Sequence, residues 1–141
     1  MNNTKDRSIN KLKGLKTSQP KFGSGLEIKI LEAEAKPLND LTNEDLRILI
    51  GQNLHLEIII PIAIERLQKN IFSEGDYYEG DLLKAVLESD MQYWKNNKDN
   101  WLIVHNLFND SIKLLKKYNI SDDIKKQWFD SYQIFKNIHH S

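Results

Sequence analysis

The sequence contains no cysteine, only three prolines and six glycines. The absence of cysteine excludes disulfide bonds, a thiol nucleophile and cysteine-ligated zinc or iron–sulfur sites. No apolar run approaches the ~20 residues that span a bilayer. The longest such run covers residues 58–64 and is interrupted by Pro61. The polar N-terminus lacks the apolar stretch of a signal peptide, so we expect a cytosolic protein without a membrane contact.

The chain also has no excess of charge of either sign. It has 20 basic and 20 acidic side chains, so the formal net charge is zero. This balance argues against a generally basic nucleic-acid-binding protein. With 141 residues, 40% of them hydrophobic and 28% charged, the composition is typical of one globular domain.

The charges are unevenly distributed along the chain. Residues 1–25 carry six basic side chains against one acidic one, and residues 74–90 carry six acidic against one basic. The first segment predicts a basic, partly mobile N-terminal arm ahead of a helical domain over residues 26–141. The second allows two interpretations, namely carboxylates at a helix start or a surface that binds a basic partner.

Hydrophobic periodicity predicts an all-α fold, a single compact bundle of about five to six helices with short connections. Thr42 and Asp45 have the spacing of a capping box, and Pro61 should kink or restart the helix that contains it. Loops are expected over Gln19–Gly25 and Ser73–Gly80. Helices are predicted over about Ser24–Lys36, from Thr42 to Gly51, Leu54–Asn70, from Asp81 with one face extending to Trp94, Asn100–Tyr118, and from Ser121 onward.

No strong catalytic motif is present. Gly75 and Gly80 have the spacing of a phosphate-binding loop, but Asp81 stands where that loop needs a lysine. The acidic side chains of residues 74–81 could bind a hard cation, although their spacing is not that of a calcium loop. An enzyme that uses this cluster, with or without a metal, is therefore one alternative. We expect no cofactor, no catalytic residue and no metal site.

A nucleic-acid-associated regulator that uses the basic arm is a second alternative. The arm contains one aromatic residue, Phe22, so stacking on bases would be weak, and binding would depend on salt-sensitive attraction to phosphates. Tyrosines and carboxylates together, as in residues 74–81, suit a basic protein surface better. We therefore expect a protein partner and no direct contact with nucleic acid.

Three stretches of the chain resemble a known family in their order and spacing. Residues 41–52 are similar to L-T-x-E-D-L-R-x-x-I-G-Q, residues 60–65 to I-P-L-A-L-E, and residues 74–83 to E-G-D-Y-Y-x-G-D-L-L. Together with a weaker similarity over residues 8–14, they resemble the immunity proteins of contact-dependent growth inhibition systems. The third stretch is the most specific of these motifs.

This resemblance implies a function. Such immunity proteins bind the toxic C-terminal domain of a cell-surface effector that a neighbouring bacterium delivers. They act in the cytosol, have no enzymatic activity of their own and block the toxin by occlusion. The toxins are often nucleases, including RNases that cut tRNA. We therefore expect a 1:1 complex with a basic cognate toxin domain.

Two groups of candidate site residues follow from the resemblance. Because each immunity protein is specific to its own toxin, residues that define the family are interpreted as structural, and Arg47 is expected to pair with Asp81 or Asp76. Breaking a buried pair of this kind costs about 3–5 kcal/mol. The family-motif residues are Arg47, Gln52, Asp76, Tyr77, Gly80 and Asp81. The toxin-binding residues are then expected among the charged and aromatic side chains Glu32, Glu34, Glu79, Glu88, Asp90, Tyr93 and Trp94.

Overall fold

A computed structural model describes residues 4–15 and 23–140 of the chain. In these residues the regular structure is helical, apart from two isolated β-bridges. The α-helices are α1 (Ile9–Lys13), α2 (Gly25–Ala35), α3 (Asn43–Gly51), α4 (Leu56–Lys69), α5 (Asp81–Leu87), α6 (Met91–Asn96), α7 (Lys98–Asp110), α8 (Ile112–Lys117) and α9 (Asp122–Lys136). The predicted all-α class is confirmed, with more helices than the five to six expected.

The predicted start of α3 is confirmed in atomic detail. The Thr42 hydroxyl accepts a hydrogen bond from the Asp45 backbone N–H at 3.1 Å, and the Asp45 carboxylate accepts one from the Thr42 N–H at 2.9 Å. This reciprocal pair satisfies two backbone donors that a helix N-terminus leaves without partners. The direction of α3 is thereby set at its first turn.

Two helices expected to be continuous are each divided in two. The apolar face expected from Asp81 to Trp94 is interrupted between α5 and α6, where the Ser89 hydroxyl donates to the Val86 carbonyl at 2.7 Å. The helix expected over Asn100–Tyr118 is interrupted at Ser111, between α7 and α8. At Ser89 a short polar side chain competes with the helical hydrogen bonds, which the apolar periodicity does not reveal.

Helix α4 runs without a break through Pro61, whose side chain is exposed. A restart at this proline, one of the two predicted outcomes, does not occur. Around it, the apolar side chains of α4 are buried, including Ile59, Ile60 and Ala63 at 0% exposure. Helix α4 is therefore the central buried helix that its composition predicts.

Helix α3 packs against α2, α4 and α5, and α5 also packs against α9. The largest fully buried side chains of the core are aromatic: Trp94, Phe108, Trp128 and Phe135. This arrangement places the loop of residues 73–80 beside both α3 and α9. No helix of the described residues has the length and hydropathy that crossing a bilayer requires.

The predicted basic arm over residues 1–25 lies partly outside the described residues, as does most of the predicted loop Gln19–Gly25. Within residues 4–15, Ile9 is fully buried. Lys5 pairs with Glu65 and Lys13 with Glu57, each at 2.7 Å. Two of the arm's basic side chains therefore contact carboxylates of α4.

Candidate functional site

The loop of residues 73–80 is organised by a carboxylate at the first residue of α5. Asp81 is only 4% exposed. One of its oxygens accepts the Gly75 N–H at 2.7 Å, and the other accepts the Tyr77 N–H at 3.1 Å and the Tyr78 N–H at 3.4 Å. Asp81 therefore fixes the path of the loop main chain.

A second carboxylate, Glu44 of α3, holds the same loop from the other side. It accepts two hydrogen bonds of 2.6 Å from the Arg47 guanidinium and one of 2.9 Å from the Asp76 backbone N–H. The hydrogen bonds from Arg47 are the main reason that the pKa of Glu44 lies below its ordinary value. Glu44 thus links the guanidinium on its own helix to the loop backbone.

The prediction of the partners of Arg47 was therefore incomplete, because it did not include Glu44. Glu44 is the principal partner of Arg47, whose Nε lies 3.9 Å from an Asp81 oxygen. Asp76 joins this network through its main chain, while its side chain is exposed. The position of Glu44 three residues before Arg47 on a helix was the signal in the sequence that could have identified this pair.

Tyr77, at the tip of the loop, is exposed to 71%. The Arg47 guanidinium carbon lies 4.4 Å from the centroid of its ring, which is the geometry of a cation–π interaction. The guanidinium is itself fixed by Glu44, so the ring rests on an ordered support. An exposed tyrosine held in one orientation can contact a partner with little further loss of conformational entropy.

Two residues from the last quarter of the chain also hold the loop in place. The Trp128 indole N–H donates to the Gly80 carbonyl at 3.1 Å. The Tyr118 ring stacks on Phe72 with centroids 3.6 Å apart, and its hydroxyl donates to Glu79. Reasoning from the sequence missed these residues, because nothing local in the chain connects α8 and α9 to a loop some forty residues earlier.

Two of the expected toxin-binding residues lie at the exposed junction between α5 and α6. Glu88 accepts a hydrogen bond from the Ser131 hydroxyl at 2.6 Å, which holds its carboxylate against α9. Asp90 caps α6 by accepting the Gln92 N–H at 3.1 Å. A groove of about 290 Å³ connects Tyr77 with Glu88. We call Asp76, Tyr77, Glu88 and Asp90 together the acidic face.

Glu79, a third expected contact residue, lies in the loop itself and accepts the Tyr118 hydroxyl. Three others are placed differently. The carboxylate of Glu34 lies 2.5 Å from the His55 imidazole, in a half-buried pair between α2 and the start of α4. Tyr93 is half-buried, and its hydroxyl accepts a hydrogen bond from Asn100 at 3.0 Å. Glu32 is exposed on α2. These residues do not join the network around Asp81.

Trp94 cannot provide a contact surface, and the expectation that it does was wrong. Its side chain is fully buried, and its indole N–H donates to the Ser89 hydroxyl at 2.9 Å. The family-motif residues also differ in exposure, because Gly80 and Asp81 are buried whereas Gln52, Asp76 and Tyr77 are exposed. In the described residues, no group of three or more histidine or acidic side chains could hold a metal ion.

The fold and this site define a small all-α protein that presents an ordered acidic loop with an exposed tyrosine. A family model described as CDI immunity proteins matches residues 11–104, which is 94 of the 141 residues. The chain belongs to this family of contact-dependent growth inhibition immunity proteins. The family assigns it the role of neutralising a toxin protein. No curated protein sequence matches the chain.

The matched residues contain every family-motif residue and end within α7. Trp128 and Tyr118, which support the loop, lie beyond the match. The site is therefore built from a part that the family model matches and a part that it does not.

Proposed function

We propose that this protein neutralises a basic nuclease toxin domain by covering its substrate-binding surface with the acidic face. The complex is 1:1 and forms in the cytosol, and the protein acts by occlusion alone. The family resemblance in the sequence favours an RNase that cuts tRNA as the toxin. The alternatives based on a metal-dependent enzyme or on a nucleic-acid-binding arm have no comparable support.

The ordered exposure of Tyr77 is the observation that carries this proposal. Large aromatic side chains that are held rigid at a surface are frequent hot spots of protein interfaces. Tyr77 is exposed to 71% while Arg47 supports its ring and the Asp81 carboxylate binds its N–H. A side chain of this kind contributes to stability only modestly, so its ordering is better explained by binding than by folding. In this respect the proposal departs from the interpretation of Tyr77 as a structural family-motif residue.

The charges around Tyr77 support a basic partner. Asp76, Glu88 and Asp90 are all exposed, and one groove joins Glu88 to Tyr77. A nuclease surface that binds phosphates is positively charged, and complementary charges accelerate association and favour the correct partner. Carboxylates at this face would take the place of the phosphates of the substrate.

Co-expression with the toxin domain encoded immediately upstream of this gene tests the proposal. We expect restored growth and a purified complex whose mass corresponds to one copy of each chain. The isolated toxin domain should cleave tRNA, and adding this protein at equimolar concentration should abolish cleavage. Absence of both rescue and complex would overturn the proposal. Rescue from a toxin without nuclease activity would overturn only its nuclease part.

Charge reversal tests the position of the interface. We expect Asp76→Lys and Glu88→Lys each to weaken toxin binding, with the wild-type affinity falling as salt increases. Asp110→Lys is the matched control, because Asp110 is also exposed and the charge change is the same, but it lies at the end of α7. Equal affinities for the three variants would place the interface elsewhere.

A further inference from the structure

An apolar recess of about 240 Å³ lies between the α5–α6 junction and α9, next to the acidic face. Its floor consists of the buried side chains of Leu87, Phe135 and Ile138. Two large apolar side chains stand at its rim, Met91 at 45% exposure and Ile134 at 64%. Exposed apolar side chains grouped around an apolar floor are a frequent feature of protein interaction sites.

The recess has a carboxylate at its edge. Glu88 lines both this recess and the groove that leads to Tyr77. Its carboxylate is held there by the Ser131 hydroxyl at 2.6 Å and lies 3.2 Å from the Lys84 ammonium. Asp90 is exposed immediately before Met91. The recess therefore fits an apolar side chain with a lysine or arginine beside it.

The two walls of the recess differ in their relation to the family. Leu87 and Met91 lie within the residues that the family model matches, whereas Ile134 and Ile138 lie beyond them. Discrimination between cognate and other toxins requires surface features that related immunity proteins do not share. One wall of the recess lies outside the residues that define the family, so it is a better candidate for such a feature than the motif loop, which is matched throughout.

We infer that this recess is a specificity pocket of the immunity protein. It receives an apolar side chain of the cognate toxin domain, and Glu88 and Asp90 pair with basic side chains that flank it. This inference rests on the proposed function, because it assigns one part of the same interface. The motif loop would then provide contacts of a kind available to the whole family, and the recess would select the partner.

Substitution of Ile134 tests the inference without adding charge. We expect Ile134→Gln to weaken binding to the toxin domain encoded upstream of this gene by about tenfold or more, since it removes an apolar side chain from the interface. Leu114→Gln is the matched control, because Leu114 is exposed to 54% on α8. Its affinity should stay within about twofold of the wild type, since single exposed apolar side chains are ordinary on surfaces. Both affinities are measured by titration calorimetry.

The possible outcomes separate this inference from the proposed function. If the wild type binds the toxin domain, and Ile134→Gln and Leu114→Gln bind it as tightly as the wild type does, the recess is not part of the interface. The proposed function then stands. If the wild type does not bind, both proposals are overturned. Met91→Gln provides a second variant on the opposite rim, and it should reproduce the loss seen for Ile134→Gln.

A second copy of this chain is the alternative occupant of the recess. Sedimentation of the wild type without toxin should show a monomer. A dimer that Ile134→Gln dissociates would show that a second copy of this chain fills the recess, which would overturn the inference. Thermal unfolding of each variant should stay close to that of the wild type, because neither rim side chain belongs to the buried core.

Discussion

Gly80 lies directly against the indole ring of Trp128. A Cβ atom on Gly80 would come within 2.3 Å of Trp128 Cζ2, and the Gly80 backbone has a φ of +88°. The indole N–H also donates to the Gly80 carbonyl. The loop that carries Tyr77 is therefore seated on α9, a helix outside the residues that the family model matches.

Gly80→Ala should lower the free energy of unfolding by about 3 kcal/mol. The added methyl group must displace a fully buried ring, which commonly costs about 1–3 kcal/mol. A left-handed backbone at a residue other than glycine adds about 1 kcal/mol or more. Urea denaturation followed by tryptophan fluorescence measures the change.

Gly51→Ala is the control for this substitution. Gly51 ends α3, and a Cβ there would meet no atom within 4 Å. Alanine in a helix is more stable than glycine by about 0.5–1 kcal/mol, so this variant should be neutral or slightly stabilised. A similar loss in the two variants would contradict the close packing of Gly80 on Trp128.

Asp81→Asn should also destabilise the protein, by about 2–3 kcal/mol, the cost of leaving buried polar groups without partners. The two Asp81 oxygens accept backbone N–H groups from Gly75, Tyr77 and Tyr78. An asparagine offers one acceptor and turns an N–H₂ group toward donors. Hydrogen exchange of the loop amides should report this local opening, beside the loss in global stability by urea denaturation.

The matched change is Asp90→Asn. Asp90 is exposed and caps α6 by accepting the Gln92 N–H. Asparagine caps helices about as well as aspartate, so stability should change by less than about 0.5 kcal/mol. If both variants were equally stable, the Asp81 carboxylate would not be organising the loop.

How much of this site the sequence predicts depends on the separation of the partners along the chain. The capping box of Thr42 and Asp45 was predictable because its partners are three residues apart and the geometry is that of any helix start. The pair of Glu44 and Arg47 has the same separation and could have been found by the same reasoning. Trp128 lies 48 residues from Gly80, and no local pattern connects them.

The exposure of individual side chains was the second property that the sequence did not predict. Trp94 and Tyr77 are both aromatic residues in polar surroundings, yet one is fully buried and the other is exposed to 71%. Apolar periodicity marks the face of a helix that can be buried, but the packing of distant helices determines which residues are covered. The break between α5 and α6 was also missed, because it depends on a hydrogen bond from the Ser89 hydroxyl that competes with those of the helix.

Glu44 should make the stability depend on pH in the acid range. Its pKa is lowered in the folded protein, mainly by the hydrogen bonds from Arg47. Its contribution is therefore complete above its ordinary pKa of 4.5 and is lost as the pH falls through the lower pKa of the folded state. Glu44→Gln should lose about 2 kcal/mol near neutral pH, a typical value for hydrogen bonds to a charged group, and less at acid pH.

Melting temperatures between pH 3 and pH 7 measure this difference. The melting temperatures of the wild type and Glu44→Gln should converge as the pH falls. Protonation of Glu44 removes its carboxylate charge from the wild type at low pH, whereas the substitution removes that charge at every pH. Glu65→Gln removes a carboxylate from the exposed pair with Lys5, which contributes about 0–1 kcal/mol, and should follow the wild type closely. Parallel curves for the wild type and Glu44→Gln would show that the carboxylate charge is not involved.

Tyr77 should matter for binding far more than for folding. Tyr77→Ala should weaken toxin binding by about thirtyfold, which corresponds to a hot-spot residue, while stability falls by about 0.5–1 kcal/mol through loss of the contact with Arg47. Tyr77→Phe keeps the ring on the guanidinium and should retain most of the affinity. Leu102→Ala, an exposed apolar side chain on α7, controls for general loss of apolar surface. Surface plasmon resonance with the toxin domain measures the affinity of the wild type and the three variants. If Tyr77 were purely structural, Tyr77→Ala would lower the stability of the protein and leave the affinity of the folded protein unchanged.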